Sequence, residues 1–200
     1  MRSQHGRTLT SSESDESTHR CTVTAAGADA DPHIVVIGMM GVGKSTVGRL
    51  VAAGLGRPFW DNDEALQKAT GRTAAEVQEG EGQAALHRRE NELLRDALQS
   101  DVPSVLAAAA SVVLEPDTVR GAIVIWLRAS IGTEEQHLAS SGQHHRPLPA
   151  LRDQFLRRLA AEREPLYEQL ADVTVDVGSD PKATAEQILE ALRRSVPSST

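Results

Sequence analysis

The stretch "HIVVIGMMGVGKSTVGRL", His33–Leu50, constrains the fold more than any other part of the chain. It opens with a short β-branched apolar run, the pattern of a strand buried on both faces. Glycines then punctuate it at Gly38, Gly41 and Gly43, and "KSTVGRLVAAGL" follows with helical spacing up to Gly56. Gly38, Gly43, Lys44 and Ser45 fit the pattern of two glycines separated by four residues and followed by Lys and Ser. Glycines let the backbone turn its N–H groups toward phosphate oxygens, and the helix start adds the positive end of its dipole. The strand–loop–helix context is the one the motif requires. Residues Gly41, Val42, Gly43, Lys44, Ser45 and Thr46 are therefore expected to cradle nucleotide phosphates. Lys44 is expected to reach the β- and γ-phosphates, and the Ser45 hydroxyl to bind Mg²⁺.

The remainder reads as strands alternating with helices. "RPFWD" and "SVLAAAA" read as strands, as do "AIVIWLR" and "DVTVDV". Helices are expected over "DEALQKATG", ending at Gly71, and over "QAALHRRENELLRDAL", with Leu86, Leu93, Leu94 and Leu98 on one side. Between these two, Thr73 and Glu76 have the spacing of a capping box. "EPDTVRG" reads as a short helix or turn, and "SSGQHHRPLP" as a loop. Separate helices are expected over "LRDQFLRRLAAERE" and "PLYEQLA", and a last one over "KATAEQILEALRR". This alternation implies an α/β three-layer domain with a parallel sheet covered on both faces.

Composition sets further limits. Two hundred residues suffice for one domain with a full core. The formal net charge of −7 argues against a broad basic surface for nucleic acid. The single cysteine, Cys21, makes neither an internal disulfide nor a thiolate metal site. No apolar run approaches the ~20 residues that span a bilayer, so no membrane partner is expected and the expected setting is the cytoplasm. Residues 1–31, rich in Ser, Thr and charge, and residues 195–200 read as tails around a domain at 32–194. The tail has neither the apolar stretch of a secretory signal nor the acid-poor character of a transit peptide.

Three segments carry a resemblance that covers about Ile34 to Leu192: "GMMGVGKSTVGRLVAAGLGRPFWDND", "HHRPL" and "EREPLYEQLADVTV". In this order and spacing the chain resembles shikimate kinase, a small P-loop kinase that phosphorylates the 3-hydroxyl of shikimate with ATP. The resemblance implies a five-stranded parallel sheet with a mobile lid, ATP and Mg²⁺ as cofactors, a small-molecule acceptor, and a monomer. It also assigns roles. Asp61 and Asp63 match the family's Asp-x-Asp, Asp61 near Mg²⁺ and Asp63 on the acceptor hydroxyls, where it takes a proton. Read alone, these residues equally suit a turn or a helix N-cap. Arg146 matches the lid arginine that approaches the phosphates, and Arg163 the arginine that pairs with the acceptor carboxylate through its planar fork. Without the resemblance, Arg146 reads as a solvated loop residue, and Arg163 as an ion-pair partner of Glu162 or Glu164.

Two departures fall on the acceptor side, and with them the chain fits a shikimate kinase with compensating contacts, a kinase for another hydroxylated acid or cyclitol, or a nucleotide-binding protein that has lost phosphoryl transfer. His87, preceded by Leu86, stands where the family has an arginine after phenylalanine, and reads equally as an acceptor contact and as a solvated helix residue. Arg88 and Arg89 are adjacent, but each step turns a helix by roughly 100°. Ala109, Ala110 and Ser111 replace three successive glycines beside the acceptor, with Ala110 expected to face it. Either the loop needs positive φ and is strained, or the methyls narrow the pocket, or the loop takes another allowed path. Before the lid, His137 stands in a segment without the arginine that the family often places over the adenine ring.

Overall fold

Every residue of β1 (Ile34–Ile37) is buried, and its alternation divides the core in two. Val35 and Ile37 point to one face of the sheet; Ile34 and Val36 point to the other. The protein's structure is a computed structural model that describes residues 31–128 and 152–195. Arg146, His137 and the lid lie outside the described residues, as do the two expected tails apart from Asp31 and Ser195.

From β1 the chain enters α1 (Lys44–Leu55), then β2 (Phe59–Asp61), which passes without a connecting loop into α2 (Asn62–Thr70). Next come α3 (Ala74–Glu81), α4 (Gln83–Leu98) and β3 (Val105–Ala107). Two short 3₁₀ turns, Val112–Leu114 and Pro116–Val119, lead to β4 (Ile123–Arg128). The described chain resumes in α5 (Arg152–Leu170) and ends with β5 (Val173–Asp176) and α6 (Pro181–Ser195). The five strands form one sheet in the order β2-β3-β1-β4-β5, and every pairing is parallel. The expected α/β three-layer architecture is thus the observed one.

On one face, Val35, Ile37, Leu106 and Trp126 pack with Leu94 of α4 and Tyr167 of α5. The Tyr167 ring stacks on Trp126 with centroids 5.8 Å apart. On the other face, Val36, Val105, Ile125 and Leu127 meet Val47 and Val51 of α1 and Ile188 and Leu192 of α6. Each such buried aliphatic contributes roughly 1.5–3 kcal/mol. A third cluster, Leu66, Ala74, Val77 and Leu86, holds α2, α3 and α4 together. The capping box starts α3: Thr73 Oγ1 accepts the Glu76 N–H, and Glu76 Oε2 accepts the Thr73 N–H at 2.7 Å.

Two segments differ from their expected extent. The strand expected over "SVLAAAA" pairs only at Val105–Ala107, because a turn closed by Val112 N–H on Ala109 O (3.2 Å) ends it. The two helices expected around Pro165 are one continuous helix, α5. Proline withdraws a single donor from the ladder, and Arg163 and Tyr167 on either side of it both bond the same carbonyl of the β3 turn.

Candidate functional site

β1 lies at the centre of the sheet, and the chain turns to one side for β2 and β3 and to the other for β4 and β5. A crevice opens at the carboxyl ends of the strands where the order reverses, the usual ligand position in an open parallel sheet. Here the glycine loop sits, and a cavity of about 610 Å³ opens above it, within the range of small-molecule sites. Its wall includes Met40–Val47, Asp61–Glu64 and Ala107–Ala110, with Gln67, Thr73 and Ala74 beside them. Val177 and Pro181, from the β5–α6 connection, complete another side.

The glycine loop is shaped by its φ angles. Gly38 has φ +145°, Gly41 +80° and Gly43 +98°, all disfavoured for a residue with a Cβ. A Cβ at Gly38 would also stand 2.6 Å from Leu127 O. Gly43 is the N-cap of α1 and supplies no side-chain cap, and the first turn of α1 carries no acidic residue. Val47 N–H, bonding Gly43 O at 2.9 Å, joins the helical ladder one turn in. The first turn thus presents backbone N–H groups and a positive dipole end toward the cavity, suited to an anion. Lys44 Nζ donates to Gly38 O (3.0 Å) and Met39 O (2.9 Å), curling over the loop it follows.

Asp61 ends β2 and caps α2. It is buried, and its Oδ1 accepts the N–H groups of Asp63 (2.9 Å) and Glu64 (3.4 Å). The N-cap role and a place in the cavity wall therefore coexist in one carboxylate. Asp63 is exposed on the first turn of α2 and lines the same cavity. Asn62 between them is 2% exposed, and neither its Nδ2 nor its Oδ1 has a hydrogen-bond partner. Among the described residues no group of three or more His, Cys, Asp or Glu side chains is placed to hold a metal alone. A divalent cation here would draw on Ser45 and Asp61 together with nucleotide oxygens, the mixed shell that Mg²⁺ favours.

The acceptor-side residues are placed differently. Ala110 is in the cavity wall, whereas His87 and Arg163 are not. Arg163 is 4% exposed and donates from Nη1 to Ala110 O at 2.9 Å. Tyr167 Oη donates to the same oxygen at 2.9 Å. Glu162, one of the two carboxylates considered for Arg163, instead pairs with Arg158 at 2.8 Å. His87 lies half-buried on α4, and Arg89 pairs with Glu81 of α3 at 2.8 Å. Ser111, in place of a family glycine, has φ −81° and ψ −13°, the third position of a type I turn, which any L residue adopts without strain. The Ser111 hydroxyl donates to Glu90 Oε2 at 2.6 Å, with both side chains fully buried. Sequence reasoning missed Glu90, Asn62 and Tyr167, because no local pattern distinguishes a buried polar residue on a helix from a solvated one.

Comparison with known proteins adds a consistent result. The family described as shikimate kinase matches residues 40–193. A shikimate kinase of Symbiobacterium thermophilum is 40% identical over 149 residues, covering 72% of this chain and 85% of the relative. One of Methylococcus capsulatus is 37% identical over 171 residues, covering 82% and 93%. The fold superposes on a shikimate kinase from Acinetobacter baumannii in complex with shikimate, with a TM-score of 0.77 and 29% identity, covering 83% of this chain and 96% of that one.

Proposed function

The chain belongs to the shikimate kinase family, and we propose that it transfers the γ-phosphoryl group of ATP to the 3-hydroxyl of shikimate. One observation carries this reading: the phosphate loop, the Asp61–Asp63 pair and the Ala107–Ala110 turn line one cavity. A donor and an acceptor can meet there without crossing the protein.

In this reading the loop from Gly41 to Thr46 holds the nucleotide phosphates, and the Lys44 ammonium leaves the Gly38 and Met39 carbonyls for the β- and γ-phosphate oxygens. Ser45 and Asp61 are the residues that would hold a Mg²⁺ ion, which when bound would supply positive charge against the phosphates. Asp63 orients the 3-hydroxyl and accepts its proton as the hydroxyl oxygen bonds to the γ-phosphorus. The bond from that phosphorus to the β–γ bridging oxygen breaks, and ADP leaves. Arg163, which holds Ala110 O from behind the cavity wall, and the Ala110 backbone would place the acid end of the acceptor, and His87 is kept as a candidate second contact. Arg146 brings a cation to the transferring group. The −7 charge fits a small-molecule partner rather than nucleic acid. No helix among the described residues is long and apolar enough to cross a membrane. A cytoplasmic monomer completes the proposal.

Steady-state ADP formation with Mg²⁺–ATP, with and without shikimate, tests it. Shikimate-dependent turnover that is lost in Asp63→Asn is expected. Turnover unaffected by that substitution would remove Asp63 from the mechanism, and no response to shikimate would remove the acceptor.

A further inference from the structure

Two helices grip the cavity's acceptor-side wall from behind, and both do so at adjacent residues. Helix α4 reaches the turn through Glu90, whose Oε2 accepts the Ser111 hydroxyl at 2.6 Å. Helix α5 reaches it through Arg163 and Tyr167, both donating to Ala110 O at 2.9 Å. Ala110 and Ser111 share a peptide bond, so the bond that fixes Ser111 also sets the direction of the Ala110 carbonyl. That carbonyl in turn holds one arm of the Arg163 guanidinium.

We propose that Glu90 and Ser111 form a positioning couple for acceptor binding, acting on Arg163 through the Ala110 carbonyl. The proposal rests on the reading of Arg163 as the acceptor-carboxylate contact. Three physical points support it. A fully buried carboxylate is costly unless hydrogen-bonded, so the Ser111 donor is strongly held. Hydrogen bonds to charged acceptors are stronger than neutral ones, and both ends of this relay involve an ionisable side chain. A guanidinium offers five N–H groups, so the bond from Nη1 to Ala110 O orients the plane while leaving the fork's other donors for a planar ligand. With His87 where a second arginine would otherwise assist, the orientation of Arg163 carries more of the recognition.

Steady-state kinetics on the full chain separate this role from a structural one. In Ser111→Ala the acceptor KM should rise about tenfold or more, the scale of weakening one charge-assisted contact, while the KM and Kd for Mg²⁺–ATP stay within about twofold. Glu90→Gln keeps an amide oxygen that can accept the Ser111 hydroxyl, and should retain most of the acceptor affinity. An unchanged acceptor KM in Ser111→Ala, or equal losses for acceptor and ATP, would overturn the proposal. Should Ser111→Ala fail to fold, Ser111→Cys, which retains a weak S–H donor, should show a smaller rise of the same kind.

A second readout does not depend on shikimate being the acceptor. Urea midpoints of Ser111→Ala, Arg163→Met and the double variant form a cycle. Non-additive shifts are expected if the relay couples the two residues, and additive shifts contradict it. Absence of turnover with shikimate in the unmodified protein, together with a non-additive cycle, would reject the acceptor and leave the coupling standing.

Discussion

Asp61 Oδ1 accepts the backbone N–H of Asp63 at 2.9 Å, so the first carboxylate of the Asp-x-Asp pair fixes the start of the helix that carries the second. The pair is one structural unit before it is a chemical one. Asparagine is as good an N-cap as aspartate. Asp61→Asn should therefore leave stability within ~0.5 kcal/mol while raising the Mg²⁺ concentration needed for half-maximal activity by about tenfold. Asp61→Ala should add a loss of about 1 kcal/mol on top of that. Urea unfolding and Mg²⁺ titration of both variants check the separation; a large stability loss in Asp61→Asn would show that the carboxylate charge itself holds the fold.

Lys44 curls back onto the carbonyls of Gly38 and Met39, and in the proposed mechanism its ammonium exchanges these acceptors for phosphate oxygens. Lys44→Met should fold normally, because the lost bonds lie at the half-exposed edge of the loop. Its kcat should fall by about a hundredfold or more, given ~1.5–3 kcal/mol per charge-assisted bond lost from the transition state. Stopped-flow ATP binding and steady-state rates measured together distinguish this from a simple loss of binding.

Gly38 combines φ +145° with a space that a Cβ would close, 2.6 Å from Leu127 O. Neither problem has a flexible side chain to yield. Gly38→Ala is expected to cost at least about 2 kcal/mol, the scale of a forced φ, and to abolish ATP binding. A thermal scan and a nucleotide-binding titration read both effects. An unperturbed variant would mean that the loop has another path.

The carboxyl ends of β4 and β5 are tied by Arg128, whose Nε and Nη2 donate to Asp176 Oδ1 (2.6 Å) and Oδ2 (3.0 Å). This guanidinium holds the Asp176 carboxyl below its ordinary range. The folded pKa is thus lower than the unfolded one. The pair's stabilisation is complete above the ordinary aspartate pKa, about 3.9, and is lost as pH falls through the folded value. Urea midpoints of the unmodified protein and Asp176→Asn should differ near neutrality and converge in acid. Parallel curves at all pH values would exclude the pair as a contributor.

The parts of the site that depend on backbone geometry were legible in the sequence. Glycines at positive φ must be glycines, so Gly38, Gly41 and Gly43 announced the phosphate loop. Thr73 with Glu76 announced a helix start because capping is local. The parts built by tertiary contact were not legible. Nothing within the small apolar run Val105–Ala110 tells where β3 stops and a type I turn begins, so the possible strain at Ala109–Ser111 stayed open until the Ser111 φ of −81° removed it at that residue. Pro165 looked like a helix break, but contacts from its neighbours Arg163 and Tyr167 to Ala110 O, more than fifty residues away, hold the helix against the turn. The burial of Glu90 and Asn62 follows from which helices meet, and helix packing has no signature in single residues.

The most direct test of the central claim is ³¹P NMR of the protein incubated with Mg²⁺–ATP and shikimate. A phosphate-monoester resonance on shikimate should grow in step with ADP, at one equivalent each, and should be absent with Asp63→Asn. ADP accompanied only by inorganic phosphate, or an unchanged ATP spectrum, would contradict phosphoryl transfer to shikimate by this site.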